Sequence, residues 1–282
     1  MSAAAWSSGV RVTTTGRQAG VWLPPTVALS FAVIAIVIAW SLAPSLFTSL
    51  HPVNGVPTDK LLGPSAAHWF GTDHLGRDLY TRIVHGTASS VTSALLAVTI
   101  GVIAGGFIGL LAGFAGGWVD IVLARLVDVL LAVPNFLLAV IVVTALGFDT
   151  TNAAIATGVS AVAVFARVMR SEVIKTKQAI FVEASFLLGG SSWHVLLRHV
   201  LPNASRSVLP LAVLQFGLSI LVIAGLAFLG YGDPPPASDW GLLIATGKDY
   251  LKWPWLIYAP ALATIMTVIS LNRISQWLRT TH

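Results

Sequence analysis

Cysteine is absent from the 282 residues, which excludes a disulfide framework and any thiolate metal centre. Charge is scarce as well. Asp, Glu, Lys and Arg make up 10% of the chain, hydrophobic residues 56%, and the mean hydropathy is +0.84. Soluble domains carry about 25% charged residues, so this chain cannot solvate its surface and reads as an integral membrane protein. No HExxH pair, no phosphate-cradling P-loop and no Ser/His/Asp arrangement occurs. The net charge of +5 and pI near 9.9 are shared with nucleic-acid binders. The placement of the basic residues assigns them to membrane orientation instead.

What the chain has is long apolar runs. Crossing a bilayer takes about 20 mostly apolar residues. The runs lie between Arg17 and Asp59 (apolar core 22–42), at 86–119, at 121–146, at 150–166, at 207–232 and at 253–272. The third holds Arg125 and Asp128. The first begins after twenty residues and exceeds a signal-peptide core of about 7–15 residues, so it is read as a retained span. With the N-terminus inside, eleven of the sixteen Lys and Arg fall on inner segments. The outer five are Lys60, Arg77, Arg82, Lys248 and Lys252. The bias predicts an N-in, C-in, all-α protein of six transmembrane helices. The expected division is a cytoplasmic segment 1–20, a first transmembrane helix 21–44, an extracytoplasmic loop 45–86 with a short interfacial helix, and a five-helix core 87–277. That core has an inner loop 167–206 and an outer loop 231–252, and residues 278–282 form a cytoplasmic tail.

In the second run Gly101, Gly105, Gly109, Gly113 and Gly117 recur every four residues, placing them on one helix face. Such faces let two backbones approach closely in lipid. The partner is another span of this chain or of a sister subunit, unless the spacing reflects ordinary glycine enrichment in membrane helices. The stretch FGTDHLGRDLYTRIVHG, 70–86, reads as a short helix on the outer membrane surface. Asp73 would cap it, Leu75, Leu79 and Ile83 would form its apolar stripe, and Asp73–Arg77 and Asp78–Arg82 would pair on the wet side. YGDPPPASDW, 231–240, cannot form regular helix and leads to an aromatic belt of Trp240, Tyr250, Trp253, Trp255 and Tyr258.

Polar residues inside the spans are costly to present to lipid. Thr144, Ser160, Gln215 and Ser219 are therefore expected to face protein or a cavity. Arg125 and Asp128 share a helix face, as an interfacial pair or as part of a gate, and Pro134 should kink its span. His68 and His74 flank Asp73, but their spacing, like that of His194 and His199, matches no ligand pattern. No metal site is expected.

The inner loop contains EASFLLGGSSWHVLLRHVLPN, 183–203. Ala184, Leu187 and Leu188 suit one face of a short helix. Gly189 or Gly190 can supply the positive φ that ends it, Ser191 or Ser192 can cap a second helix through Trp193, Val195 and Leu196, and Pro202 should end that helix. A knob of this size suits a socket on another protein.

The stretch resembles the EAA loop of binding-protein-dependent ABC importers, through Glu183, Ala184, Gly189, Leu201 and Pro202, with Ser185 where the third motif residue is usually Ala. With the 70–86 stretch, GGWVDIVLARLVDVLLAVP (116–134) and GLAFLGYGDPPPASDWG (225–241) resemble the dipeptide/oligopeptide/nickel permease group, its C-type subunit above all. The resemblance runs from about Trp69 to Trp277, and the ending NRISQWLRTTH departs from the acidic tail of many relatives. It implies a type I importer permease fold in the bacterial inner membrane, taking up di- or oligopeptides or a related small solute. It also implies a second permease subunit, an external substrate-binding protein and a cytoplasmic ATPase that binds ATP and Mg, with no cofactor on this chain. Coupling to the ATPase would fall to Glu183, Ala184, Ser185, Leu188, Gly189, Leu201 and Pro202, helix packing to Gly101, Gly105, Gly109 and Gly113, and a pathway or gate to Asp128, Pro134, Gln215 and Ser219. The rival is a stand-alone secondary transporter or channel. Ion-coupled carriers place ionisable residues near the midplane, and the span centres here lack them. A membrane-embedded enzyme would need clustered His, Asp or Glu in the spans.

Overall fold

Backbone N–H and C=O groups cannot go unpaired in lipid, so the apolar runs fold as helices. The computed structural model describes residues 24–281. The expected segment 1–20, the start of the first apolar core at Trp22 and the last residue of the tail lie outside the described residues. In chain order the helices are α1 (Pro25–Leu42), α2 (Leu79–Ala115), α3 (Gly117–Ala132), α4 (Asn135–Leu146), α5 (Thr150–Lys177), α6 (Ile180–Leu187), α7 (Ser192–Phe228), α8 (Trp240–Gly247) and α9 (Trp255–Thr281). Among the described residues β pairing is limited to one isolated bridge, Thr72 with Asp78.

Five of these helices are long and apolar enough to cross a membrane, and α3 with α4 together have the length and apolar composition of a sixth. That pair bends by 93° where 121–146 was expected to be one kinked span. The cause is Pro134. The residue before a proline is pushed out of the α region, and Val133 is extended at φ −89°, ψ 129°, so the helix breaks. The pair leaves α2 at the inner side through Gly116 and Gly117, and it ends beside Thr150, whose N–H donates to Asp233 Oδ1 (3.0 Å) beyond the outer end of α7.

α2 and α5 pack backbone to backbone. A Cβ on Gly105 would stand 2.4 Å from the Val162 carbonyl oxygen, one on Gly109 2.3 Å from that of Ala166, and one on Gly113 2.9 Å from that of Arg170. Gly101 meets the Phe165 ring. The partner of this glycine face is thus a span of the same chain. Gly117 is not part of the seam. α2 ends at Ala115, and nothing approaches Gly117 within 4 Å.

The outer segment departs from expectation. Residues 70–78 form turns, and the helix begins at Leu79, already part of the second span, with Asp78 as its cap through Thr81 N–H (2.8 Å). The glycines explain why. Gly71 and Gly76 hold φ of +75° and +73°, and a Cβ on Gly76 would sit 1.9 Å from the Val56 carbonyl oxygen. Arg82 does not pair with Asp78. Its Nη1 donates to Asp73 Oδ2 (2.7 Å), which also accepts from Arg77 Nε (2.6 Å), and all three side chains are buried rather than wet. Trp240 is no belt residue either. It is 0% exposed, donating Nε1–H to the Ile83 carbonyl (3.2 Å) at the start of α8, a helix the proline-rich loop gave no sign of. It joins Leu79, Ile83, Leu243, Leu256 and Leu271 in an outer core. An inner core gathers Phe165, Met169 and Val173 of α5 around Val182, Val195 and Val200.

Candidate functional site

The inner core holds the loop that the sequence marks out. α6 spans Ile180–Leu187 and stops in a glycine turn. Gly189 adopts φ +86°, Gly190 N–H donates to the Ser185 carbonyl (2.9 Å) and Gly189 N–H to that of Phe186 (3.0 Å). These are the paired 6→1 and 5→2 bonds that close a helix end through a left-handed residue. The chain turns at once into α7, where Ser191 Oγ accepts from His194 N–H (3.3 Å) as the N-cap. The result is a closed helical hairpin rather than a loose loop.

One side of this hairpin is anchored. Val182, Val195, Leu196 and Val200 are buried against Met169 and Val173. The other side is apolar and bare. Leu188 is 88% exposed, Ile180 85%, Leu187 82% and Trp193 68%. A contiguous apolar surface on a wet face marks an interaction site. Glu183 and Ala184 lie on the same exposed side. Among the described residues Glu183 makes no ion pair and does not cap its own helix.

Pro202 does not end the second helix. Leu196–Val200, ending two positions before it, form a π turn in which Leu201 N–H reaches back to the Leu196 carbonyl. Proline in a helix removes a donor and crowds the carbonyl four residues back. The wider turn absorbs that crowding, and Asn203 Nδ2 donates to the His199 carbonyl (2.7 Å). The helix continues through a 3₁₀ turn at Ser205–Ser207 into its membrane-crossing part. The hairpin is therefore joined to the membrane-crossing part of α7 by an unbroken rod. It also reaches α5 through the packed valines, and Lys177 Nζ at the end of α5 donates to the Phe114 carbonyl of α2 (2.7 Å).

The residues named as a pathway or gate are not brought together. Asp128 faces an inner groove of about 410 Å³ between α2, α3 and α5 and pairs with Arg167 (2.7 Å) instead of Arg125. Asp120, which sequence reasoning passed over, accepts from Arg170 Nε and from its Nη2 (2.8 Å) in the same groove. Both contacts join residues 39 and 50 apart, beyond the reach of helical spacing rules. Pro134 stands at the α3–α4 break. Gln215 and Ser219 are buried among this chain's own helices, as is Ser160, while Thr144 is exposed and bonds its own helix carbonyls. His68 Nδ1 donates to Asp78 Oδ1 (2.9 Å) and His74 stacks on Tyr250. Among the described residues no group of three or more His, Asp or Glu could hold a metal ion.

The sequence profile of the family described as "Binding-protein-dependent transport system inner membrane component" matches residues 98–281, which include the whole hairpin. The dipeptide transport system permease protein DppC of Alkalihalophilus pseudofirmus is 38% identical over 251 residues, 89% of this chain and 81% of that protein. The probable D,D-dipeptide transport system permease protein DdpC of Escherichia coli K12 is 32% identical over 266 residues, covering 92% and 88%. The glutathione transport system permease protein GsiD of Pectobacterium atrosepticum is 37% identical over 218 residues, covering 77% and 72%. In fold, the chain is similar to a subunit of the inward-facing MetNI methionine ABC transporter, with a TM-score of 0.58 at 15% identity, covering 71% of this chain and 96% of that one. It is also similar to an amino acid ABC transporter chain solved with histidines, at 0.54 and 20%, covering 71% and 94%.

Proposed function

Since the chain belongs to the family of binding-protein-dependent transport system inner membrane components, we propose that it moves small peptides and is driven through the hairpin formed by α6 and the start of α7. The protein is a multi-pass permease subunit of an ABC importer in the bacterial inner membrane. The peptide cargo follows from the relatives, named for dipeptide, D,D-dipeptide and glutathione transport. A second permease subunit completes the pathway, an external binding protein delivers the peptide, and ATP with Mg belongs to a cytoplasmic ATPase. This chain supplies the moving part and no catalytic group.

The observation that carries the reading is the anchored hairpin with a bare apolar face. Leu187, Leu188 and Trp193 enter a cleft on the ATPase. Glu183, Ala184 and Ser185 form the facing turn of α6, and Gly189 fixes the angle between the two helices. Leu201 and Pro202 join the hairpin to the span. When nucleotide closes the ATPase pair, the hairpin is displaced, and α5 and α7 follow because they are packed to it. ATP and the loaded binding protein both favour the outward-open arrangement, and each shifts the population by its differential affinity.

The test is Leu188→Asp in the assembled transporter. The side chain is almost fully exposed in the fold, so thermal stability should stay unchanged. Retention of the ATPase on purification and hydrolysis stimulated by the binding protein should both fall at least tenfold, the effect of burying an unpaired charge in an interface. Undiminished stimulation in that variant would overturn the assignment.

A further inference from the structure

An open cavity of about 640 Å³ lies between the inner ends of α5, α7 and α9. Lys175 near the end of α5, Arg206 in the 3₁₀ turn and Arg279 near the end of α9 all line it. Among the described residues none of these three has an ion-pair partner. The contrast with the same helix is sharp, because Arg167 and Arg170 of α5 are matched by Asp128 and Asp120. Glu172 is the one carboxylate in the wall and Asn203 adds an amide, so the lining keeps two net positive charges. Like charges facing one void repel unless an anion sits between them.

The cavity is also amphipathic. Its deeper wall is Val168, Pro210 and Leu211. With a rise of 1.5 Å per residue, Val168 stands about 10 Å further into the membrane than Lys175. Cations at the mouth and apolar groups one to two turns deeper repeat the headgroup-to-acyl gradient of the inner leaflet, whose surface is anionic.

We propose that this cavity binds a phosphate-bearing amphiphile, the anionic headgroup of an inner-leaflet phospholipid, held by Lys175, Arg206 and Arg279 with an acyl chain along Val168 and Leu211. Glu172 lowers the wall charge from three to two, of which a monoanionic headgroup offsets one. Phe181, on the first turn of α6, closes one side of the cavity. A bound lipid therefore steadies the base of the coupling hairpin.

The experiment titrates the intact transporter in neutral detergent with phosphatidylglycerol, phosphatidylcholine or soluble glycerol 3-phosphate and follows the thermal midpoint. Phosphatidylglycerol should raise it saturably and phosphatidylcholine should not. The double variant Arg206→Gln, Arg279→Gln should bind phosphatidylglycerol about thirtyfold more weakly and Lys175→Gln about fivefold more weakly, as expected for the loss of two and one basic contacts with an anionic surface. Arg273→Gln, on α9 but outside the cavity, should bind as the unaltered protein does. If glycerol 3-phosphate matches the lipid, the phosphate site stands and its occupant comes from the soluble pool. Equal shifts from phosphatidylcholine, unchanged affinity in the double variant, or an equal loss in Arg273→Gln would overturn the proposal.

Discussion

Arg82 Nη1 donates to Asp73 Oδ2 at 2.7 Å while Arg82 Nη2 donates to the Ala237 carbonyl at 2.8 Å. One buried guanidinium thus ties the outer loop before α2 to the proline-rich loop before α8. Gly86, one turn further along α2, lies so close to the second loop that a Cβ there would be 1.7 Å from the Ser238 carbonyl oxygen. The outer end of the bundle is fixed by a charged clasp, the inner end by packed valines.

Removing one member of a buried ion pair leaves the other charge uncompensated, at about 3–5 kcal/mol. Asp73 keeps Arg77, so Arg82→Met should cost about 3 kcal/mol, at the lower end. Asp128→Asn, by contrast, breaks a pair exposed by more than half on both sides and should cost less than about 1 kcal/mol. Denaturation midpoints of the two variants side by side check this. Equal losses would mean that the clasp bears no special weight.

Little of that clasp was legible in the sequence. Asp73, Arg77, Asp78 and Arg82 have the spacing of helical pairs, and local rules read them so. Arg82 pairs with Asp73, nine residues back, and its second anchor, the Ala237 carbonyl, is more than 150 residues away; the glycines that forbid the helix do so through contacts with Leu62 and Trp255 at Gly71 and with Val56 at Gly76. Asp120 was overlooked for the same reason, since its partner is Arg170. The hairpin, in contrast, is written locally. Its Gly-Gly stop and Ser cap act over four or five residues, so spacing alone anticipated them. Pro202 misled because its effect is set by the π turn before it.

Two outer carboxyls respond to pH in opposite senses. Burial pushes the Asp73 carboxyl up, but the Arg77 and Leu75 backbone N–H groups and the Arg77 charge outweigh it, so its pKa is lowered. Its contribution is present above the unfolded value of about 3.9 and lost as pH falls through the lower folded value. Asp239 is raised, first by burial and further by Asp233, against the Leu242 N–H bond that opposes it. Its contribution is full below about 3.9 and lost as pH rises through the folded value. Asp239→Asn keeps the cap on α8 and should flatten the thermal midpoint in the window above pH 4, where the unaltered protein gains stability on acidification. An identical pH profile in the variant would show that Asp239 is not the titrating group.

Gly109 and Gly117 make a matched pair of substitutions. Gly109→Ala drives a methyl into the Ala166 carbonyl and should cost about 1–3 kcal/mol as the helices separate. Gly117→Ala meets open space, and its cost is the left-handed backbone at φ +55°, about 1–2 kcal/mol. The distinguishing measurement is a spin-label distance between α2 and α5. It should lengthen in the first variant and stay fixed in the second, and lengthening in both would deny the seam its local character.

Gly189 separates shape from contact in the coupling hairpin. A Cβ there meets nothing within 4 Å, so any effect of substitution comes from the backbone alone. Alanine can enter the left-handed region at about 1–2 kcal/mol, and Gly189→Ala should keep part of the stimulated ATPase activity. Proline is locked near φ −65° and cannot reach +86°, so Gly189→Pro must open the turn and lose the bonds to Ser185 and Phe186. Stimulated hydrolysis should then vanish, with limited proteolysis newly cutting between residues 186 and 192. Membrane insertion and the outer clasp, held by residues far from this turn, should persist. Full coupling in the proline variant would mean that force reaches the spans by a route other than the hairpin's fixed angle.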